Sequence, residues 1–173
     1  MLAASAAPKG SLYHYFPGGK QELTTAALKE AERGVSEGLR GVFHKPVPLA
    51  DKVSALFAGA ARNLETNQFT RGCPVAAVTL DIDRDSEDLR AVCRAIFDSW
   101  QAIIADGLDE IPKAERRGVA RLIFATFEGT LILARAEASK EPLLNAGRTL
   151  ADILGRRFAA PRRSPRARRG RHA

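Results

Sequence analysis

The segment KGSLYHYF, residues 9–16, sets a lysine, a serine, two tyrosines and a histidine within eight positions, then runs directly into PGGKQEL. Side chains of these types suit contact with a polyanion. Ser11 and Tyr13 can donate to phosphate oxygens, and Lys9 can reach a phosphate or a guanine edge. Gly10 permits close approach of the backbone, and His14 and Tyr15 lie beside the same surface. Lys20 stands where the next helix begins, and free backbone N–H groups at a helix start form an anion site. The competing reading is a short surface helix with ordinary polar residues.

The rest of the chain offers little other site chemistry. Cys73 and Cys93 stand apart, outside any CxxC, and read as buried thiols. His14, His44 and His172 are scattered, so neither a metal site nor a triad can be drawn. No nucleophile–base pair, carboxylate pair or phosphate loop is present, which argues against an enzyme, and no cofactor is expected. The formal charge is +7, but PRRSPRARRGRHA at the C-terminus holds six arginines; removing them leaves +1 over residues 1–160. Such a tail, residues 160–173, reads as disordered and adds either non-specific phosphate attraction or mere solubility. No apolar run approaches the roughly 18 to 20 residues a membrane span needs, and no signal-peptide pattern is present. The expected location is the cytoplasm.

Helices must position these residues. Apolar residues make up 45% of the chain and aromatics 6%, a balance that favours an all-α protein. Pro8 fits the first turn of a helix over 9–16, with Leu12, Tyr15 and Phe16 on one face. A longer helix is expected over 20–43, with Leu23, Leu28, Val35, Leu39 and Val42 buried. Gly34, Gly38 and Gly41 each cost it about 1 kcal/mol relative to alanine, so its second half should bend or fray. Leu49, Val53, Leu56, Phe57, Ala60 and Leu64 mark the next helix, ending near Asn67, and Pro74 opens a short one. Ser86 is a plausible N-cap for the clearest stripe, Leu89, Cys93, Ile96, Trp100 and Ile103. Two more helices follow, up to Phe158. The first of these is apolar around much of its circumference after Val119, so it must be covered on two sides.

APKGSLYHYFPGGKQEL resembles the end of the helix-turn-helix of TetR-family transcriptional regulators. FPGGK, together with RGCPVAAVTLD, is similar to the LmrA/YxaF-like subgroup. The resemblance implies a TetR-like helical bundle: residues 1–43 as a partial DNA-binding region with a connecting helix, and residues 44–159 for ligand binding and dimerisation. It makes Lys9, Gly10, Ser11, Tyr13, His14, Tyr15 and Lys20 the DNA-contacting set, with Leu12 and Phe16 holding the helix to its domain. Proteins with this signature carry one full helix and most of another before it, whereas only MLAASAA stands before Pro8 here. The N-terminal part of the helix-turn-helix domain is therefore expected to be missing. Either the true start lies upstream, the favoured reading because nothing in residues 1–8 replaces the helix, or this is a short product with impaired DNA binding.

The resemblance further implies a homodimer on a palindromic DNA operator, released by a small apolar or amphipathic effector. Phe57, Phe69, Phe97, Trp100 and Phe127 are candidates for the effector pocket, with Cys73 and Glu128 as polar contacts. Each reads first as plain core and only second as a ligand contact. Val119, Leu122, Ile123, Gly129, Leu133, Leu143, Gly147, Leu150, Leu154 and Phe158 are the candidate subunit interface. The alternative is a dimeric ligand-binding protein that has lost DNA binding.

Overall fold

Apolar spacing near 3.6 residues recurs along the chain, and it produces six α-helices and no strand among the described residues of the computed structural model, 15–83 and 86–158. They are α1 (Gly19–Phe43), α2 (Leu49–Thr66), α3 (Pro74–Leu80), α4 (Glu87–Asp106), α5 (Lys113–Ala136) and α6 (Glu141–Phe158).

Helix α1 runs unbroken to Phe43, so the expected fraying at its glycines does not occur. Its second half is fixed by tertiary packing instead: Leu39 and Phe43 are buried, while Gly34, Gly38 and Gly41 face open space. Packing overrides weak propensity here. Its buried stripe is Leu28, Ser36, Leu39 and Phe43; Val35, expected inside, is exposed. Helix α1 lies along α4 in the same direction. Phe43 packs at Gly107, and the Trp100 indole N–H donates to the Glu32 carbonyl at 3.4 Å. In α4 the expected stripe holds for Cys93, Ile96, Trp100 and Ile103. Ser86 occupies the N-cap position without a side-chain bond, leaving Glu87 and Asp88 to complement the helix dipole.

Helices α2 and α6 run antiparallel, with Gly155 against Ala50, Gly147 against Phe57 and Lys140 paired with Glu65 at 2.7 Å. Arg157 bonds to Glu115 at 2.7 Å, so α5 is also antiparallel to α6. The core formed between these helices holds Trp100, Phe43, Phe57, Leu28, Leu49, Ile104, Ile123 and Leu143, all nearly without exposure. The α4–α5 turn is held by a buried lysine. Lys52 is 4% exposed; its Nζ donates to the Gly107 carbonyl at 2.7 Å and lies 3.7 Å from Asp109. Glu110 accepts from the Leu49 N–H at 2.6 Å, closing the same junction from α2.

Candidate functional site

Of the DNA-contacting set, Lys9, Gly10, Ser11, Tyr13 and His14 lie outside the described residues, as do residues 160–173. Tyr15 and Lys20 are exposed, Tyr15 at 74%. Between them the chain makes a tight turn into α1, with Gly19 at φ 69°, a conformation that suits glycine. The Gly19 N–H donates to the Phe16 carbonyl at 2.8 Å, and the Gly18 N–H donates to Glu22 Oε2 at 2.8 Å. These two donors are therefore engaged within the chain. The Glu22 carboxylate, one turn into the helix, thus takes up the Gly18 N–H. Lys20 retains its own charge at that surface.

The candidate pocket residues fall into two clusters. In the first, Phe97 stacks edge-on with Trp100 at 5.9 Å and with Phe124 at 5.5 Å, cementing α4 to α5. Trp100 is 1% exposed and faces α1 through its indole N–H, so it serves the core. Phe124 belongs to this cluster and was not singled out by sequence; it is one of many apolar residues on α5. In the second cluster Phe57 and Phe127 meet edge to face at 5.6 Å. Beside Phe127, Glu128 reaches the N-terminus of α3, where it is hydrogen-bonded to the side chain of Cys73. Cys73 caps that helix, its Sγ accepting from the Ala76 N–H at 3.4 Å. Burial, reinforced by the Glu128 charge, pushes the Cys73 thiol up to about 12. Burial also raises the Glu128 carboxyl above its ordinary value, and the thiol hydrogen bond only partly offsets this.

Phe69 sits in the connection between α2 and α3, where Gln68 and Phe69 both take positive φ, 53° and 59°. Arg135 holds this strained turn to α5, donating to the Phe69 and Thr70 carbonyls at 3.3 and 3.4 Å. Arg135 and Lys52 are the positioning residues that sequence reasoning missed; a long cation bonded to backbone carbonyls leaves no sequence pattern. A surface groove of about 260 Å³ opens between α2 and α6, lined by Ser54, Phe57, Ala58, Glu141, Leu144, Gly147 and Arg148. Phe57 is the one candidate pocket residue on its wall.

Residues 50–149 match the family described as "Transcriptional regulator LmrA/YxaF-like, C-terminal domain", a match that spans α2 to α6. The chain belongs to the TetR family, in its LmrA/YxaF-like group. The HTH-type transcriptional regulator YxaF of Bacillus subtilis is 32% identical over 146 residues, covering 83% of this chain and 76% of that protein. Rv0196 of Mycobacterium tuberculosis, also an HTH-type transcriptional regulator, is 33% identical over 164 residues, covering 89% and 81%. The solved regulatory protein TetR from Rhodobacter sphaeroides superimposes with a TM-score of 0.75 at 22% identity, over 87% of this chain and 84% of that one. This chain is thus a transcriptional regulator with the all-α TetR fold.

On the TetR-family scaffold the interface candidates divide by burial. Ile123, Leu143, Gly147, Leu150 and Leu154 are buried in the chain's own core. Gly147 packs there against Phe57 of α2. Val119 and Phe158 are half-buried against the same core, and Arg157 lies over the Phe158 ring. Leu122, Gly129 and Leu133 face outward, joined by Ile132 and Ile153. Leu122, Ile132, Leu133 and Ile153 are each 50–56% exposed in the single chain. Among the described residues no helix is long and apolar enough to cross a membrane, and no three His, Cys, Asp or Glu side chains converge on a metal position.

Proposed function

We propose that this TetR-family regulator is a cytoplasmic, ligand-responsive repressor that binds a palindromic operator as a homodimer. The observation that carries the reading is the outward apolar face of α5 and α6. Four large aliphatic side chains, Leu122, Ile132, Leu133 and Ile153, stand half in water on two antiparallel helices. Two such faces packed together form a four-helix contact in which Gly129 lets backbones approach. A two-fold dimer built this way presents two copies of the 9–16 segment, and half-sites about 34 to 36 Å apart match its symmetry.

In this division of labour residues 1–43 carry the DNA-binding region and its connecting helix, residues 44–159 the effector and dimer functions, and 160–173 an arginine tail. Lys9, Gly10, Ser11, Tyr13, His14, Tyr15 and Lys20 face the operator. A small apolar or amphipathic effector, held near Phe57, Phe69, Cys73, Phe127 and Glu128, favours a subunit geometry in which the two segments no longer fit successive grooves. Helix α1 is the connection between the two regions, because it carries the DNA-facing segment at one end and packs along α4 through Trp100 and Phe43. By linkage, operator binding must weaken the effector's affinity by the same factor that the effector weakens operator binding.

Sedimentation of the chain with and without a palindromic duplex tests this reading. The expected result is a dimer that binds one duplex, with affinity falling steeply as salt is raised. A dimer that takes up small molecules and binds no duplex would favour the ligand-binding alternative.

A further inference from the structure

The groove of about 260 Å³ between α2 and α6 combines an apolar floor with two opposite charges on its α6 wall. Buried Gly147 and Phe57 form the floor, where the two helices touch. Ser54 and Ala58, one turn apart on α2, are small and leave the trough open above it. On α6, Glu141, Leu144 and Arg148 follow at i, i+3 and i+7, so they share one face. Two helical turns set the levels of Glu141 and Arg148 about 10 Å apart along the axis. Both are exposed, and neither makes an ion pair among the described residues. The Arg148 guanidinium donates only to the neutral side-chain amide oxygen of Asn145. Neighbouring charges behave otherwise: Lys140 is paired with Glu65, and Arg156 with Asp152. The groove also lies off the outward apolar face. Five residues separate Arg148 from Ile153, which turns them about 140° apart around α6.

An apolar trough takes an apolar chain, and the charges beside it select what that chain must carry at its ends. We propose that this groove is a small-molecule site for a short zwitterion with an unbranched apolar middle. Its amine pairs with Glu141, and its carboxylate lies in the fork of Arg148, which suits bidentate hydrogen bonding. The separation of the two side chains sets the class of guest. An α-amino acid carries both charges on one carbon and cannot meet both residues at once. An ω-amino carboxylate of about eight carbons, extended over Leu144 and the floor, has the required length. The site does not depend on where the effector of the repressor binds. A partner subunit docked on Ile153 leaves it open.

Amide chemical-shift titration of the full chain at low salt tests the proposal with three probes of equal length. These are 8-aminooctanoate, 8-hydroxyoctanoate, which lacks the cation, and 8-aminooctan-1-ol, which lacks the anion. The zwitterion is expected to bind about two- to fivefold more tightly than either, the range that exposed ion pairs supply. Its shifts should concentrate at 54–58 and 141–148. In Arg148→Gln the zwitterion should fall to the level of the amino alcohol, and in Glu141→Gln to that of the hydroxy acid. Both side chains are exposed, so both variants should keep the wild-type fold, which their spectra report directly. Equal binding of the three probes to the wild-type chain would overturn the proposal. So would shifts centred away from the groove, or the absence of saturable binding by the zwitterion.

Discussion

A Cβ placed on Gly107 would stand 2.4 Å from the Phe43 carbonyl oxygen, and one on Gly147 would stand 2.6 Å from the Phe57 Cβ. Neither neighbour is the free end of a side chain, so the helices must part to admit a methyl group. Gly107→Ala and Gly147→Ala should each destabilise the fold by about 1–3 kcal/mol, read as a lower midpoint in urea unfolding. Gly34 has open space around it, and Gly34→Ala should instead stabilise by about 0.5–1 kcal/mol. Glu128 makes a prediction about pH. Burial raises its folded-state value above the ordinary 4.5, so the fold bears no penalty below that value and loses stability as pH rises through the raised one. Glu128→Gln should therefore melt higher than the wild type at pH 8, with the gap closing as pH falls toward 4.5. Cys73, pushed up to about 12, stays a thiol at that pH and should be alkylated far more slowly in the folded chain than in urea.

Five of the six helices were legible as whole elements because their apolar residues repeat at helical spacing and prolines or glycines close them; the short sixth, α3, was legible from Pro74 alone. The face each helix buries was less so. Val35 and Phe43 are both apolar residues of α1, yet one is exposed and the other fully buried, a choice made by where α4 crosses rather than by α1 itself. The same holds for α5. Ile123 turns inward and Leu122 outward, and a helix with apolar residues around its circumference does not say which side meets its own chain. The site suffered most, because Lys52 and Arg135 act on carbonyls far away in sequence. Removing one of these anchors tests the element it holds. Arg135→Ala frees the Gln68–Phe69 turn, so backbone amides of 67–73 should exchange faster with solvent while those of α4 stay protected.

For the whole molecule, the exposed stripe on α5 and α6 and the polar segment before α1 make a pair of linked expectations. Leu133 is 52% exposed, so Leu133→Glu should leave the melting of the single chain within about 0.5 kcal/mol while converting a dimer into monomers. Because two half-sites must be held at once, the same substitution should lower duplex affinity far more than it changes folding. Dimer symmetry predicts the form of the preferred sequence as well as its affinity. Selection of bound duplexes from a random pool, sequenced after successive rounds, tests the central claim most directly. A two-fold symmetric sequence whose half-sites lie about one helical turn apart should be enriched, with the enrichment lost in Leu133→Glu. A pool that stays random through selection, with binding no stronger than any basic protein shows, would contradict it.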